Sequence, residues 1–490
     1  MGQQILLLIQ ILFPVAAGCL FFTAPFRKGR RAGTVFLFTV LLLETVFAGA
    51  GAIMDTTSVE LFCITPEIRL ILCNDGLSGL FCVLSSFVFL TVGVYCTGYF
   101  AGTEKKERFY GFYLITLGVL QGVGMSGNLV SFYLFYEWMT FMTVPFVLHN
   151  CTRESVRAAR KYLFYSVTGA TLVLAGIFLL AGNAEGLRFG AGTLNPEVKE
   201  GQVFAAAVLL ILGFGTKAGC FPMHGWLPTA HPAAPAPASA VLSGVITKTG
   251  VLGLIRSIYG IIGTGFLVGT PVQTLFLSLS LVTVLMGSML AYKEKVLKKR
   301  LAYSTVSQVS YILFGLALMT PAGFSAALLH LVFHSVIKSA LFLFAGILIH
   351  KTGKERANEL RGLGKQLPVT FLCVTFASLA LVGIPPASGF VSKWYLALGA
   401  LSAPVGFFSY LGPAVLLVSA LLTAGYLFMI PADGFFPGKE YSPERPEIKE
   451  ATPSMLLPLI VFSAAAVLFG IFSSPFCEIV TKIGTEMLRL

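Results

Sequence analysis

Charged side chains are scarce in this sequence. Asp, Glu, Lys and Arg together make up 11% of the 490 residues, whereas soluble proteins are about 25% charged. Hydrophobic residues make up 56%, and the mean hydropathy is +0.84. A chain of this length and composition would expose large apolar faces in water. The composition therefore excludes a soluble globular protein and indicates a polytopic membrane protein.

Motifs that bind cofactors are also missing. The nine cysteines show no CxxC spacing, so iron–sulfur ligation within the chain is not expected. No Walker sequence, nucleophile elbow or GxGxxG following a predicted strand occurs. We therefore expect no cofactor in this chain, and any electron transfer would take place on partner subunits.

The long apolar segments predict an all-α membrane protein. A spanning helix needs roughly 20 mostly apolar residues, and the segments far exceed the roughly 10-residue strands of an outer-membrane barrel. We predict fourteen spans, numbered 1 to 14 in chain order, at residues 4–24, 33–54, 77–100, 109–126, 128–149, 160–182, 203–223, 239–260, 270–291, 300–320, 323–349, 368–398, 408–430 and 453–475.

The placement of the cations predicts the topology. Loops that follow odd-numbered spans hold 24 of the 34 Lys and Arg residues, and the opposite face holds six. We call the side with the 24 cations the basic face. The positive-inside rule makes it cytoplasmic and puts both termini outside. The net charge of +12 then reflects topology, so no nucleic-acid partner is expected.

The remaining four lysines, Lys217, Lys248, Lys338 and Lys393, lie inside apolar spans. A cation at mid-bilayer costs about 3 kcal/mol on insertion scales and usually faces a bundle interior or a wet cavity. Snorkelling and structural ion pairing are the alternatives for each lysine singly. Together the four indicate a polar pathway. Glu137, in SFYLFYEWMTF, is the best buried carboxylate to accompany them, and Glu44 is interpreted as structural.

Span 11 carries a file of proton-exchanging groups. In HLVFHSVIKSALFLFAG, His330, His334 and Lys338 recur at i, i+4 and i+8 and share one helix face. Two histidines one turn apart can also bind metal, but no Glu follows the first and no third ligand is evident. We therefore predict no metal site and favour a proton path, to which neutral imidazoles are suited.

Two spans are interrupted by Gly and Pro beside their lysines. The segments are GFGTKAGCFPMHGWLP (213–228) and LVGIPPASGFVSKWYL (381–396), and both helices should be broken within the bilayer. Broken helices in corresponding halves are typical of a transporter's ion path and of internal repeats. A polar stretch, LAYSTVSQVSY, places Ser304, Ser307 and Gln308 in span 10. These side chains could hold neighbouring helices together or bind water for conduction, and the sequence leaves both roles open.

Four motifs in consistent order over about residues 110–400 carry a family resemblance. The motifs are TKAGCFPMHGWLPTAHPAAPAPASAVLSGVITKTGVLGLIR, LAYSTVSQVSYILFGL, HLVFHSVIKSALFLFAG and LVGIPPASGFVSKWYL. In these motifs the sequence resembles the antiporter-like membrane subunits shared by respiratory complex I, Mrp-type cation/proton antiporters and membrane-bound energy-converting hydrogenases, including formate hydrogenlyase. The resemblance implies fourteen helices with two inverted five-helix repeats. It divides the chain into residues 1–108 (spans 1–3), 109–260 (spans 4–8), 270–430 (spans 9–13) and 431–490 (a basic-face loop and span 14).

The resemblance also implies roles for the buried ionisable residues. Glu137 resembles the glutamate of span 5, Lys217 its lysine partner in span 7, Lys248 the lysine of span 8 and Lys393 the terminal lysine of span 12. The file on span 11 resembles the connecting elements of a hydrated axis through the membrane. The sequence departs from the family pattern in span 8. Some family members have a histidine before the lysine of this span, whereas this chain has Ser243 and Gly244 before Lys248. The segment HPAAPAPASAVLSGVITKTGVLGLIR most resembles the D-type subunits of Mrp antiporters and the large subunits of energy-converting hydrogenases.

Three functions follow as alternatives. The first is a proton-translocating subunit of a redox-driven complex in a prokaryotic-type cell membrane, with flavin, iron–sulfur or nickel–iron centres on hydrophilic partner subunits. The second is a subunit of a multi-subunit Na⁺/H⁺ antiporter with homologous and small membrane partners. The third, a self-sufficient solute symporter, would need a polar substrate pocket, whereas the buried charges form a file of exchangeable protons.

Overall fold

A computed structural model describes residues 2–23, 30–63, 65, 69–103, 105–184, 187–190, 194–195, 197–438 and 448–488. Each of the fourteen predicted spans overlaps at least one helix in these residues. In span order the helices are Gly2–Leu20, Arg30–Ala52, Gly76–Tyr99, Lys106–Gly124, Leu129–Val147, Arg153–Ala181, Glu200–Ala218 with Leu227–Ala233, Ala236–Ile262, Pro271–Lys293, Leu297–Ala317, Pro321–Thr352, Pro368–Val382 with Ser388–Ser402, Phe408–Leu427, and Pro453–Ile471.

Ten helices within the described residues are long and apolar enough to cross a membrane. They correspond to spans 1, 2, 3, 6, 7, 8, 9, 11, 13 and 14, so the chain is a multi-pass membrane protein. Spans 4, 5, 10 and 12 are helical but fall outside this set of ten, and span 12 consists of two helices of 15 residues. Short helices also occur at Thr264–Leu267, Ala357–Glu359, Leu363–Gln366 and Met429–Phe435.

Two elements were not predicted. Between spans 2 and 3, Thr57–Cys63 and Arg69–Asn74 form an antiparallel β-hairpin. Its first strand alternates half-buried and exposed residues, a period-two pattern that a search for long apolar helices does not detect. Beyond span 14, the helix Ser474–Met487 buries Val480, Ile483 and Gly484 and exposes its other side, as amphipathic helices at a membrane interface do.

The hairpin register separates Cys63 from Cys73. Cys63 pairs with Arg69 and Cys73 pairs with Ser58, so the two cysteines lie at opposite ends of the hairpin. Both are free thiols. A disulfide between them is therefore excluded in this fold.

Spans 7 and 12 are broken where glycine and proline interrupt the sequence. The first helix of span 7 ends at Ala218, and Gly219 then takes a left-handed φ of +81°. The first helix of span 12 ends at Val382, and Gly383 then takes a left-handed φ of +94°. Glycine adopts this conformation without steric cost. The breaks release backbone carbonyls inside the bundle, and side chains take them up. In span 7, Trp226 Nε1 donates to the Thr216 carbonyl at 2.8 Å.

Spans 8 and 11 form the centre of the bundle. Their apolar windows are 100% and 94% buried, against 33% for spans 1, 2 and 13. Span 8 is also irregular, with π-helical segments at Leu242–Ile246 and Ile255–Ile262. π-Helical turns often mark functional sites. Side chains that point inwards from these two spans therefore meet other helices and no lipid.

Candidate functional site

Lys217 lies at the end of the first half of span 7 and is 1% exposed. Its ammonium donates hydrogen bonds to three hydroxyls, Thr140 at 3.0 Å, Tyr162 at 2.9 Å and Ser166 at 3.3 Å. It also lies 4.8 Å from the centre of the Tyr162 ring. We call these three hydroxyl residues the hydroxyl cradle. The cradle satisfies all three donors of the ammonium without a carboxylate.

Glu137 forms no ion pair with Lys217, although the charge of Lys217 acts on its carboxylate. It is half-buried on span 5, and its neighbours Trp138 and Phe141 are 57% and 51% exposed. Its Oε1 is buried without a hydrogen-bond partner. Among the ion pairs within 4.0 Å that the described residues form, none joins Glu137 to Lys217. The pairing that the family resemblance implies is thus open in this conformation.

Lys248 follows the first π-helical segment of span 8 and is 0% exposed. Its ammonium donates to the Ser243 carbonyl, which also accepts from Thr247 Oγ1 at 3.1 Å. Gly250 brings span 8 against span 7 at the cradle, since a Cβ there would lie 2.4 Å from the Phe214 carbonyl oxygen and 3.2 Å from Lys217 Cβ. The close approach packs the helix that carries Lys248 against the helix that carries Lys217.

The file on span 11 is wholly buried. The rings of His330 and His334 stack with centroids 5.8 Å apart, and His330 Nδ1 lies 2.9 Å from Ser392 Oγ. Neither nitrogen of His334 has a hydrogen-bond partner. Lys338 donates to the Leu301 carbonyl at 3.1 Å. The charges of Lys248, Lys338 and Lys393 all act on His334, so this imidazole lies among the lysines. Buried polar atoms without protein partners are sites for ordered water.

Lys393 lies just after the break in span 12. Its ammonium donates to the Leu381 carbonyl at 2.6 Å and to the Val382 carbonyl at 3.0 Å, the two carbonyls that the break releases. It lies 5.2 Å from the centre of the Tyr311 ring, which in turn stacks on His330 at 5.4 Å. The break therefore supplies the acceptors for this lysine, as the cradle does for Lys217.

Two buried cationic or titratable residues were missed in the sequence. His231 is 0% exposed, stacks on Phe342 at 4.7 Å and has no hydrogen-bond partner at either nitrogen. Lys298, which the span boundaries place in a basic-face loop, is 7% exposed and donates to the Ala234 carbonyl at 2.8 Å. The HPAAPAP run around His231 was a usable signal, because a histidine between prolines inside an apolar segment is uncommon.

Other residues singled out in the sequence fall outside this group. Glu44 is 0% exposed within span 2, and both its carboxylate oxygens lack partners. The interpretation of Glu44 as structural stays a prediction. Within the residues that the structure describes, no group of three or more His, Cys, Asp and Glu side chains is arranged to hold a metal ion.

Comparisons with known proteins identify the family of this chain. Residues 126–422 match the family described as NADH:quinone oxidoreductase/Mrp antiporter, TM. The N-type subunit of an NADH-quinone oxidoreductase from Desulforudis audaxviator is 33% identical over 413 residues, 81% of each chain. The D-type subunit of a Na⁺/H⁺ antiporter from Alkalihalophilus pseudofirmus is 27% identical over 496 residues, 99% of this chain and 97% of the relative.

The fold is also found in a solved structure of an Mrp complex from Dietzia sp. DQ12-45-1b. One chain of that complex superposes with a TM-score of 0.87 at 23% identity and covers 100% of this chain and 98% of its own. The family match spans more than half of the sequence. The chain belongs to the NADH:quinone oxidoreductase/Mrp antiporter transmembrane family.

Proposed function

We propose that the chain is a proton-translocating, antiporter-like subunit of a multi-subunit membrane redox complex. The observation that carries the proposal is how the four lysines inside the spans are held. Every hydrogen bond found for their ammonium groups goes to a hydroxyl or a backbone carbonyl. A lysine with neutral acceptors only has no fixed counter-charge to hold its proton, so it can exchange that proton with water.

The proposed path joins these lysines through the centre of the bundle. It leads from Glu137 and Lys217 to Lys248, then along span 11, and ends at Lys393. Formation of a Glu137–Lys217 ion pair would hold Lys217 charged. Separation of the pair, the arrangement in this conformation, would leave the ammonium to the cradle alone, and the proton would move on. Along the path the active groups are Glu137, Lys217, Lys248, His330, His334, Lys338 and Lys393.

The proposed architecture has fourteen spans with two inverted five-helix repeats, residues 109–260 and 270–430. Residues 1–108 and 431–490 flank the repeats. Two broken helices support the division, because span 7 is the fourth helix of the first repeat and span 12 the fourth of the second. The basic face would be cytoplasmic and both termini would lie outside the cell (inner) membrane. The basic-face loop includes residues 439–447, which are outside the described residues.

The proposed partners are homologous antiporter-like subunits, small membrane subunits and hydrophilic redox subunits. Flavin, iron–sulfur or nickel–iron centres would reside on the hydrophilic subunits. A second function, subunit of a multi-subunit Na⁺/H⁺ antiporter, is supported by one observation. The antiporter relative aligns with this chain along 97% of its own length, against 81% for the oxidoreductase relative. The ion would then be H⁺ exchanged for Na⁺.

A neutral substitution at Lys217 tests the proposed path. In inverted membrane vesicles, Lys217→Met and Glu137→Gln should abolish coupled proton transport, read with a pH-sensitive dye, while a native gel shows an intact complex. Lys161→Met is the matched control, because Lys161 is exposed and bonds only to Thr229 Oγ1 at 3.1 Å. Full transport by both neutral variants would contradict the proposal.

Isolation of the whole complex separates the two functions. The tagged chain would be purified from its native host in mild detergent, and its partners would be identified by mass spectrometry. Hydrophilic redox subunits would establish the redox-driven pump. Membrane subunits alone would establish the antiporter. The next measurement would then be whether added Na⁺ changes the signal of the pH-sensitive dye in vesicles.

A further inference from the structure

A carboxyl group is buried on span 2, outside the path described above. Glu44 is 0% exposed, and neither of its oxygens has a hydrogen-bond partner. Apolar side chains of the same helix are 40–64% exposed, namely Val35, Phe38, Leu42, Leu43 and Val46. Span 2 therefore turns an apolar side to the lipid and its one carboxyl group to the protein.

Two glycines hold span 2 against span 3 on either side of Glu44. A Cβ at Gly79 would lie 3.1 Å from Ala52 Cα. A Cβ at Gly93 would overlap the side chain of Leu41. The two helices run antiparallel, so Glu44 lies beside the stretch of span 3 between these glycines.

Span 3 carries a row of polar side chains at this contact. Ser78, Cys82 and Ser86 recur at i, i+4 and i+8 and are all buried, and we call them the polar face of span 3. The charge of Glu44 acts on the Cys82 thiol, so the carboxyl group lies within electrostatic reach of this face. Ser86 Oγ accepts from Gln121 Nε2 at 2.6 Å, whereas Gln121 Oε1 has no partner. Buried polar atoms without protein partners are sites for ordered water.

The polar face begins at a cavity on the face opposite the basic face. The cavity has a volume of about 250 Å³, and its lining includes Thr56, Asp75, Arg256 and Glu486. Thr56 and Glu486 are exposed, so the cavity opens at the surface. Arg256 donates to Ser78 Oγ at 2.9 Å, and its buried Nε has no partner. Water in the cavity would therefore reach the first hydroxyl of the polar face.

Neutral side chains surround Glu44. None of the ion pairs within 4.0 Å that the described residues form includes Glu44. Spans 1, 3 and 4 pack against span 2. The buried polar groups at these contacts are the Gln10 amide, the Cys82 thiol, the Tyr113 hydroxyl and the Gln121 amide. The surroundings thus offer Glu44 no cation, and a bound proton is the neutralising group that remains.

We propose that Glu44 is a proton-binding site that exchanges its proton with the face opposite the basic face. A carboxylate buried without donors is strongly disfavoured, so the group takes up a proton. Water along the polar face of span 3 would carry this proton to and from the cavity. A carboxylate that only supported the fold would hold donors on its oxygens, as Asp75 does.

The site goes beyond the proposed function. It lies in the first three spans, whereas the proposed path begins at Glu137 and Lys217 on spans 5 and 7. Glu44 would bind its proton whether or not that path conducts. The site also differs in kind from the path, because a carboxyl group is neutral with its proton and a lysine is charged with it.

Infrared spectroscopy of the purified complex identifies the protonation state of Glu44. At neutral pH the wild type should show the C=O stretching band of a protonated carboxyl group, and Glu44→Gln should lose it. Glu60→Gln is the matched control, because Glu60 is an exposed carboxylate paired with Arg69 at 3.2 Å. Its substitution should leave the band in place. Loss of a carboxylate band in Glu44→Gln, with the C=O band unchanged, would overturn the proposal.

Labelling with dicyclohexylcarbodiimide, an apolar reagent that reacts with protonated carboxyl groups, tests the exchange. The acid adds across one C=N bond, its proton going to the nitrogen and its oxygen to the carbon. The acyl group then migrates to nitrogen, and the adduct keeps every atom of both reactants. Mass spectrometry of the peptide that contains Glu44 measures the adduct, and Glu44→Gln gives the background.

The side of the exchange is read from sealed right-side-out vesicles. Raising the outside pH to about 10, with the inside neutral, should reduce labelling of Glu44 by about tenfold, since even buried glutamic acids lose their protons at about pH 8–9. Raising only the inside pH should change labelling little. Ser86→Val should slow the response to outside pH. Ser85→Val is the matched control, because Ser85 Oγ is equally buried but bonds only to the Phe81 carbonyl of its own helix.

The remaining outcomes are also decisive. Labelling that follows the inside pH, or neither pH, would overturn exchange with the opposite face. Protection from the reagent by added Na⁺ at constant pH would make a metal cation the ligand and overturn the proton. A native gel gives the amount of assembled complex, and if Ser86→Val fails to assemble, the wild-type response decides. Wild-type transport by Lys217→Met would overturn the proposed function only, so the two failures are distinguishable.

Discussion

At the residue scale, the question is how a lysine is kept inside the bundle without a counter-ion. A cation at mid-bilayer costs about 3 kcal/mol on insertion scales. A hydrogen bond to a charged group contributes about 1.5–3 kcal/mol, and Lys217 makes three of them to hydroxyls. The Tyr162 and Tyr136 rings, at 4.8 Å and 5.6 Å, add cation–π attraction. The cradle thus offsets the insertion cost and leaves the lysine free of a permanent negative charge.

Tyr162→Phe tests the cradle. The ring stays over the ammonium, but one charge-assisted hydrogen bond is lost, and the lysine is left with two hydroxyl acceptors. We expect coupled proton transport in vesicles to fall by about tenfold, the equivalent of about 1.4 kcal/mol. Tyr165→Phe is the control, because no hydrogen bond from the Tyr165 hydroxyl to Lys217 is present. An unchanged rate in Tyr162→Phe would show that the cradle does not support transport.

At the element scale, one carboxylate connects three parts of the fold. Asp75 follows the β-hairpin, caps the first turn of span 3 by accepting from Ser78 N at 2.8 Å, and binds Arg256 of span 8. The Arg256 guanidinium donates to both carboxylate oxygens, at 2.5 Å and 2.8 Å, and is 1% exposed. A bidentate pair of this kind is both strong and directional. The pair joins the second π-helical segment of span 8 to the N-terminal end of span 3.

The Asp75 pair predicts loss of stability in acid. Burial alone raises the pKa of Asp75, but the charge and hydrogen bonds of Arg256 outweigh it and lower the pKa from 3.8 to about 2. The ionised carboxylate therefore stabilises the fold fully above about pH 4, and this stability is lost as the pH falls towards 2. It amounts to about 2 kcal/mol. Thermal unfolding of the detergent-solubilised protein measures it.

Asp75→Asn should lower the unfolding temperature at neutral pH and reduce the further fall between pH 4 and pH 2. Glu60→Gln is the control, because the Glu60–Arg69 pair is 37% and 40% exposed at its side chains and contributes little stability. If the unfolding temperature of Asp75→Asn fell between pH 4 and pH 2 as much as that of the wild type, the loss of stability in acid would come from other titrating groups.

At the scale of the whole molecule, the most buried helices carry most of the buried ionisable residues. Spans 8 and 11, the centre of the bundle, hold Lys248, His330, His334 and Lys338, whereas Lys217 and Lys393 come from the two broken helices beside them. Glu137 and Lys393 are only half-buried, and both stand beside exposed aromatic side chains. A path along the axis would therefore be shielded from lipid except at these two residues.

Natural cysteines test the orientation of the molecule. Cys63 in the hairpin and Cys151 after span 5 are both exposed, and the predicted topology places them on opposite sides of the membrane. In sealed right-side-out vesicles, an impermeant maleimide should label Cys63 but not Cys151 in single-cysteine variants. Inverted vesicles should give the reverse. Cys220 is buried and should stay unlabelled in both. Labelling of Cys151 from outside would contradict the orientation.

Much of the fold could be predicted because its main signals are local. Runs of apolar residues predict the helices, glycine and proline predict the breaks in spans 7 and 12, and lysines inside apolar runs stand out. The hairpin and the amphipathic helix Ser474–Met487 were missed because their signals are short or two-sided. His231 and Lys298 were missed because their burial depends on helices distant in sequence. The roles of the seven site residues stay predictions.

The sequence by itself determined that this is a helical membrane protein of one known family with lysines in its spans, because hydropathy and motif order are properties of the chain. Only the tertiary structure decided which atoms surround each lysine. The cradle of Thr140, Tyr162 and Ser166, the released carbonyls that hold Lys393, and the separation of Glu137 from Lys217 all depend on how helices pack. The hydrogen bonds of the cradle join residues 51 to 77 positions apart, and those of Lys393 join residues 11 and 12 positions apart across a break, so no local pattern encodes them.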